Sequence, residues 1–558
     1  MTTPALPMVA VPPAMPRGSD AYEQKRAACL QQLADRIPVA LRLPHAVVAA
    51  APRNVTDIPR TCGLLTPREL AITEDHDAVA LAAALAARTY TAVEVAAAFC
   101  KRAAVAHQLT CCLSDFFMAE ALARARALDA HLAATGRPVG PLHGVPTSLK
   151  AHMPLAQHAV DVGTLDSQRV VQADCPAVAV LRAAGAVFYC KTNQPQFVMH
   201  LESASFHGRT LNPHNTALTA GGSSGGEAAL LAMRGSVFGV GSDIGGSIRA
   251  PAAFCGVYGF KPTSNVLPRR DGLPGAGSPA EMTVPATWGP MSRSLRDMDL
   301  FMGVFAAARP WREDPRLSIA PWTGLTTAAG GPLKVGFMMT DGAIQPQPPV
   351  ARAMEWARTQ LQGAAGVEVK AFAPLRTQEA TRNARIAYFP YGVDEMRASL
   401  AASGEPFLAL SDYSVQDAEA SPTPTAQGLF ALSRTKEQFW YDWAAHWAAQ
   451  DVDVLVCPAF YGAAPRHETA FYWNYTALFN YLDMPAAVLP TPVVAGPKGT
   501  ERYAEGEPLS DECEHARRLW EEGDFEGAPI CIQVVAPRQR DNELFGALER
   551  LSKYLNVE

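Results

Sequence analysis

The chain has 558 residues, 48% of them hydrophobic and 18% charged, which suits a large buried core and excludes a disordered chain. A net charge of −6 with no basic cluster excludes the electrostatic footprint of a nucleic-acid binder. The opening MTTPALPMVAVPPAMPRGSD lacks a positive n-region before an apolar core, and apolar runs such as 78–87 are too short to span a bilayer, so neither a signal peptide nor a membrane anchor is expected.

Residues 1–60 are partly proline-rich and read as a surface arm with one short helix near 22–36. Thr66-Pro67-Arg68-Glu69 is a capping box with proline at the first helical position. A second box at Thr91-Ala92-Val93-Glu94 opens an alanine-rich helix running to about residue 106. A third helix covers 118–134 and stops before Gly136, and GPLHGVPTSLK at 140–150 reads as a turn followed by a strand. Helix 176–184 and strand 186–191 come next, whereas 211–220 is loop-like. GGSSGGE at 221–227 then runs directly into the helix formers 228–233, and an apolar strand over 237–247 ends in a second Gly-Gly-Ser. Later elements are a strand at 333–337, a helix at 350–362 and strands at 453–457 and 530–535, with 496–527 a polar surface excursion. Alternation of β and α with no internal repeat predicts an α/β protein with a largely buried mixed sheet. No boundary splits residues 61–558, which are expected to form a single domain behind the arm.

The chemistry concentrates in the two Gly-Gly-Ser turns. Ser223 and Ser247 stand 24 residues apart, each behind a glycine pair. Glycines permit backbone conformations and close approaches that a Cβ forbids, and they leave successive N–H groups uncovered as an anion-binding concavity. A nucleophile beside such a concavity is the minimum equipment for acyl transfer. A flexible Gly/Ser linker is the bland alternative, but a linker does not sit between two core-forming runs. Lys150, at the end of its strand, is by itself most simply a solvated charge. Eleven cysteines without a Cys-x-x-Cys point to reduced thiols in the cytoplasm, and no histidine spacing suggests zinc, so no metal or cofactor is expected.

Taken together, Gly144-Val145-Pro146 leading to Lys150, AVFYCKTN at 186–193, GGSSGGE, SDIGGSIR at 242–249, GFKPT at 259–263 and the late strand through Gln533 resemble the amidase signature family. The similarity runs from about Cys62 to the C-terminus, and 98–110, 137–150 and 402–406 are most similar to its fungal acetamidase branch. The resemblance implies one large domain, a mixed, twisted central β-sheet covered by helices on both faces. It implies amide hydrolysis without a cofactor, with Ser247 as the acyl-forming nucleophile, Ser223 as a bridging serine behind a cis peptide, and Lys150 as general base and then acid. The backbone N–H groups of Ile244, Gly245, Gly246 and Ser247, beside Ser223, would form the oxyanion hole. Ser224, Asp243 and Arg249 would support the loop, the latter two as a buried ion pair, and Thr192 and Asn193 would brace it. The expected partner is a small-molecule amide, with no nucleic acid or membrane, and a homodimer is allowed.

Two positions depart from the family pattern. Ala151-His152 follows the lysine where an acidic residue is usual, and Val160-Asp161 stands where the fungal branch has Thr-Ser. Tyr388, Phe389, Tyr472, Trp473 and Phe479 supply aromatic candidates for a substrate pocket or, equally, for the core. Gly222–Gly226 also satisfies the Gly-x-Ser-x-Gly elbow, but the loop-like stretch before it argues against that reading. The alternatives are a specialised-metabolism amide/ester hydrolase or acyl-transferring homologue with an altered substrate pocket, a glutaminase subunit, disfavoured by the fungal-branch similarity, and a non-catalytic fold relative, disfavoured by retention of Lys150, Ser223 and Ser247.

Overall fold

Both capping boxes form in the computed structural model, which describes residues 6–272, 284–319, 321–328, 330–389, 392–421 and 425–555. Thr66 Oγ1 accepts the Glu69 N–H while the Glu69 carboxylate takes the Thr66 N–H, and Thr91 and Glu94 repeat the exchange. The second box heads helix Ala92–Thr110, one turn longer than its alanine pattern suggested, because Cys111 closes it in the left-handed conformation at φ 54°. Helix Met118–Thr135 ends at Gly136 in the same way. Of the N-terminal arm, residues 1–5 lie outside the described residues; the rest carries helix Asp20–Arg36, capped by Ser19.

Eleven strands make the central sheet: β1 (Leu113–Phe116), β2 (Pro146–Lys150), β3 (Val187–Thr192), β4 (Phe238–Asp243), β5 (Tyr258–Lys261), β6 (Thr287–Ser292), β7 (Leu333–Phe337), β8 (Val367–Ala371), β9 (Val454–Pro458), β10 (Ala486–Val494) and β11 (Pro529–Val535). Their spatial order is β1-β3-β2-β4-β6-β5-β10-β11-β9-β7-β8. Strands β3, β2 and β4 run parallel, as do β9, β7 and β8, and the remaining pairings are antiparallel. The sheet is therefore mixed, in one α/β domain. Every residue of β2, β3 and β4 is buried, the charged Lys150, Lys191 and Asp243 among them.

The parallel trio decides where chemistry can sit. Register pairs Lys150 with Thr192 and Leu149 with Val240, so the carboxyl ends of β3, β2 and β4 meet at one edge. Open parallel sheets hold ligands in the crevice beyond such ends. Helix Gly225–Ala232 packs close against β4 because Gly239 offers no side chain; a Cβ there would lie 2.1 Å from Glu227 Oε2 and 2.5 Å from Ser148 Oγ.

Two segments differ from expectation. Residues 211–220 form a small buried hairpin, Leu211–Asn212 with Asn215–Thr219, held by Asn212 Nδ2 donating to the Thr219 carbonyl at 3.2 Å. Its polar residues satisfy buried backbone instead of facing water, which is why it reads as loop. The hairpin stands outside the central sheet, so Ser223 still does not follow a sheet strand. The polar excursion carries helix Asp511–Glu522, anchored by buried Cys513, Ala516 and Leu519 at helical spacing among charged residues.

Candidate active site

Lys150 closes β2 with its side chain fully buried, the opposite of a solvated strand-end lysine. Its Nζ donates to Ser223 Oγ at 2.6 Å and to Ser242 Oγ at 2.9 Å. Burial pulls the lysine well below its ordinary pKa, against the opposing pull of the Asp243 and Glu227 carboxylates. Ser223 lies at the entry of helix Gly225–Ala232, and the Gly222–Ser223 peptide bond is cis. Ser242, next to last in β4, was not singled out from the sequence; only the β2–β4 register brings it to the lysine.

The second turn follows β4. The Ser224 N–H donates to the Ser247 carbonyl at 3.1 Å, which ties the two Gly-Gly-Ser turns together, and Ser224 Oγ takes the Ser242 N–H at 3.3 Å. Asp243 organises the turn: its carboxylate accepts the N–H groups of Gly246 at 2.8 Å and Ile248 at 3.1 Å. Arg249 clamps the same carboxylate through Nε and Nη2, both at 3.0 Å, so the expected buried ion pair is present. Burial works to raise the Asp243 pKa, but Arg249, Lys261 and Asn480 hold it far below the usual carboxylate range. Arg249 is itself held by Gln533 Oε1 at 2.8 Å and Asn480 Oδ1 at 2.5 Å.

One expectation for this turn needs correction. The Gly246 N–H, counted among the oxyanion donors, is already given to Asp243. The N–H groups of Ile244, Gly245 and Ser247 make no hydrogen bond among the described residues, and neither does Ser247 Oγ. Gly246 adopts φ +129°, and a Cβ there would strike Thr476 Oγ1 at 2.2 Å, so the turn admits only glycine.

Glu227, the last residue of GGSSGGE, is buried beside the lysine and forms no ion pair among the described residues. Its carboxylate takes Ser148 Oγ–H at 2.5 Å and Thr192 Oγ1–H at 2.9 Å. These residues flank Lys150, one two positions earlier in β2 and one directly across on β3. Burial raises the Glu227 pKa to about 7, moderated by those hydroxyls and by Lys150. Thr192 thus braces the site through Glu227, while the Asn193 carbonyl accepts the Gly226 N–H at 3.2 Å.

The two departures from the family pattern turn out to be linked in space. His152 Nδ1 pairs with Gln194 Oε1 at 2.8 Å, and Gln194 Nε2 donates to the Asp161 carbonyl at 2.8 Å. Asp161 Oδ2 in turn meets His207 Nε2 at 3.3 Å. Burial lowers the His152 pKa to about 3, and Lys150 adds to that, so this ring stays neutral. Of the aromatic candidates, Tyr388, Phe389, Trp473 and Phe479 are buried and Tyr472 is half-buried. Tyr388 Oη and Trp473 Nε1 both crowd Gly245, at 2.7 and 3.4 Å from the point a Cβ would occupy.

Known proteins with this architecture are numerous. The family model described as Amidase matches residues 94–545. An amidase of Gibberella zeae is 35% identical over 532 residues, covering 92% of this chain and 95% of its own. An acetamidase of Aspergillus oryzae is 34% identical over 524 residues, covering 90% and 93%. The solved structure of a fatty acid amide hydrolase, 32% identical, superposes with a TM-score of 0.90 over 96% of both chains.

Proposed function

The chain belongs to the amidase signature family and is a hydrolase of amide C–N bonds, and from that premise we propose that it cleaves a small carboxylic amide through an acyl-serine at Ser247. The observation that carries this reading is the 2.6 Å contact between a fully buried Lys150 and Ser223, next to a turn with free N–H groups. A neutral lysine amine offers a lone pair; it takes the Ser223 proton as Ser223 takes that of Ser247. Ser247 Oγ then attacks the amide carbonyl, whose oxygen gains negative charge facing the N–H groups of Ile244, Gly245 and Ser247. Lys150, now an ammonium, returns the proton through Ser223 to the departing nitrogen, and ammonia or an amine leaves. Water repeats the sequence on the acyl-enzyme and releases the free acid and Ser247.

Asp243 supports this chemistry without taking part in it. By holding the Gly246 and Ile248 N–H groups it fixes a turn in which the N–H groups of Ile244, Gly245 and Ser247 stay unbonded among the described residues. Its charge is compensated by Arg249, so it adds little negative potential where an oxyanion forms. All eleven cysteines are free thiols, which supports a reducing, cytoplasmic setting. Intact-mass analysis after treatment with a fluorophosphonate tests the mechanism: one adduct is expected, on the peptide containing Ser247. Absence of an adduct, or an adduct that persists in Ser247→Ala, overturns it.

A further inference from the structure

Tyr388 is buried at 3% exposure, and its Oη reaches no hydrogen-bond acceptor. Buried tyrosine hydroxyls ordinarily find partners, so a proton with nowhere to go calls for an explanation. The polar group beside it is Trp473 Nε1, an indole N–H that only donates; it can serve the oxygen of Tyr388 but leaves the hydroxyl proton unclaimed. Burial, with the Asp243 carboxylate adding to it, holds the hydroxyl well above its ordinary pKa, so the proton stays in place. The unspent capacity is that of one neutral donor.

This donor stands against the turn of the proposed nucleophile. Tyr388 follows helix Thr377–Ala387 directly and Trp473 precedes helix Asn474–Tyr481, so two helix ends meet over Gly245. Beyond the glycine's own chain neighbours, Tyr388 Oη is the nearest heavy atom to the position of a Gly245 Cβ, at 2.7 Å, and only a glycine admits it so close. The Gly245 carbonyl is spent on Thr476 Oγ1–H, at 2.7 Å. The Gly245 N–H is not, nor are those of Ile244 and Ser247 among the described residues. The turn has one backbone donor fewer, since Gly246 gives its N–H to Asp243. Three backbone donors and one side-chain donor thus crowd a single turn without an acceptor among the described residues. Donors fixed in advance, with no acceptor of their own, are what a developing negative oxygen requires.

We propose that the Tyr388 hydroxyl is a catalytic side-chain donor to the oxyanion, taking the place that the Gly246 N–H cannot fill. The inference rests on the reading of Ser247 as the nucleophile of an amide hydrolase. When Ser247 Oγ bonds to the amide carbon, its proton passes to Ser223 and the Ser223 proton to Lys150. The carbonyl π electrons move onto oxygen, and Tyr388 donates a hydrogen bond to that oxygen without giving up its proton. When the C–N bond breaks the carbonyl re-forms, and the hydroxyl is unchanged. The full negative charge exists only between these steps, so the hydrogen bond strengthens toward the transition state and adds little to binding of the amide.

The test is Tyr388→Phe, which keeps the ring and removes only the hydroxyl. With acetamide, butanamide and hexanamide as substrates, kcat should fall by at least about tenfold while KM changes little. The rising limb of the pH profile should keep its midpoint, which separates loss of a donor from disturbance of Lys150. A second readout is inhibition by 1,1,1-trifluoroheptan-2-one, which Ser247 converts to an anionic hemiketal of the six-carbon chain. Its affinity should drop in Tyr388→Phe by about the same factor as kcat/KM on hexanamide, because both report stabilisation of one negative oxygen. A wild-type kcat in Tyr388→Phe, or a loss carried by KM alone with the ketone bound as before, overturns the proposal. Fluorophosphonate treatment in parallel tells this failure from failure of the catalytic reading. An adduct on Ser247 in both proteins shows that the variant is folded and that the nucleophile stands, so an unchanged kcat then counts against Tyr388 alone. No adduct in the wild type removes the nucleophile and the proposal with it.

Discussion

At the residue scale, the proposed mechanism makes the pH dependence of the reaction turn on Lys150. Burial lowers its pKa and only the neutral amine can act as base, so kcat/KM should rise with pH as the ammonium is lost and then level off. Lys150→Ala should slow acylation by about two to three orders of magnitude, the scale of a general base. Asp243 and Glu227 both favour the ammonium, so removing either charge lowers the lysine pKa further. Glu227→Gln should therefore move the rising limb to lower pH, and a midpoint equal to that of the wild type contradicts the coupling. As candidates, Lys150, Ser223 and Ser247 were legible in the sequence because each sits in a local motif. Ser242 and the place of Glu227 were not, since their partners lie 92 and 79 residues away and meet only through strand register in the first case and through packing of helix Gly225–Ala232 on the sheet in the second. The missing acid after Lys150 also misleads when read alone. Position 151 is an alanine where the family usually has an acid, whereas a buried carboxylate acts on the lysine from helix Gly225–Ala232.

At the element scale, β4 sets the spacing of the site. Gly239→Ala pushes a methyl group into the Glu227 carboxylate and the Ser148 hydroxyl, both of which are hydrogen-bonded and enclosed. Overpacking of this kind costs about 1–3 kcal/mol, so a lower denaturation midpoint should accompany a displaced pH profile. A midpoint and a profile both equal to wild type show that the slot is looser than its geometry implies. The capping boxes offer a simpler check: Thr91→Ala should cost about 1 kcal/mol in urea unfolding. These boxes were readable beforehand because capping depends on residues three apart. The hairpin at 211–219 was not, because its asparagines satisfy buried backbone through contacts a linear pattern does not display.

At the scale of the whole molecule, the N-terminal arm belongs to the packed structure, with Tyr22, Leu33, Ile37, Leu41 and Leu43 all buried. Gln108 fastens it, accepting the Leu43 N–H at 2.7 Å and donating to the Leu41 carbonyl at 2.9 Å. Each such apolar side chain contributes up to about 1.5–3 kcal/mol when buried, so deleting residues 1–44 should lower Tm by several degrees; an unchanged Tm shows that the arm is ornamental. Alternation of helix and strand announced an α/β protein, but strand order was beyond reach, because β5 pairs with β10 across more than two hundred residues. That order also makes the site a joint product of both halves of the sheet. Lys150 closes β2 and the turn of the proposed nucleophile follows β4, yet Arg249, which clamps Asp243 in that turn, is anchored by Gln533 in β11. The two partners stand 284 residues apart, so the turn cannot be secured until the sheet has closed between them.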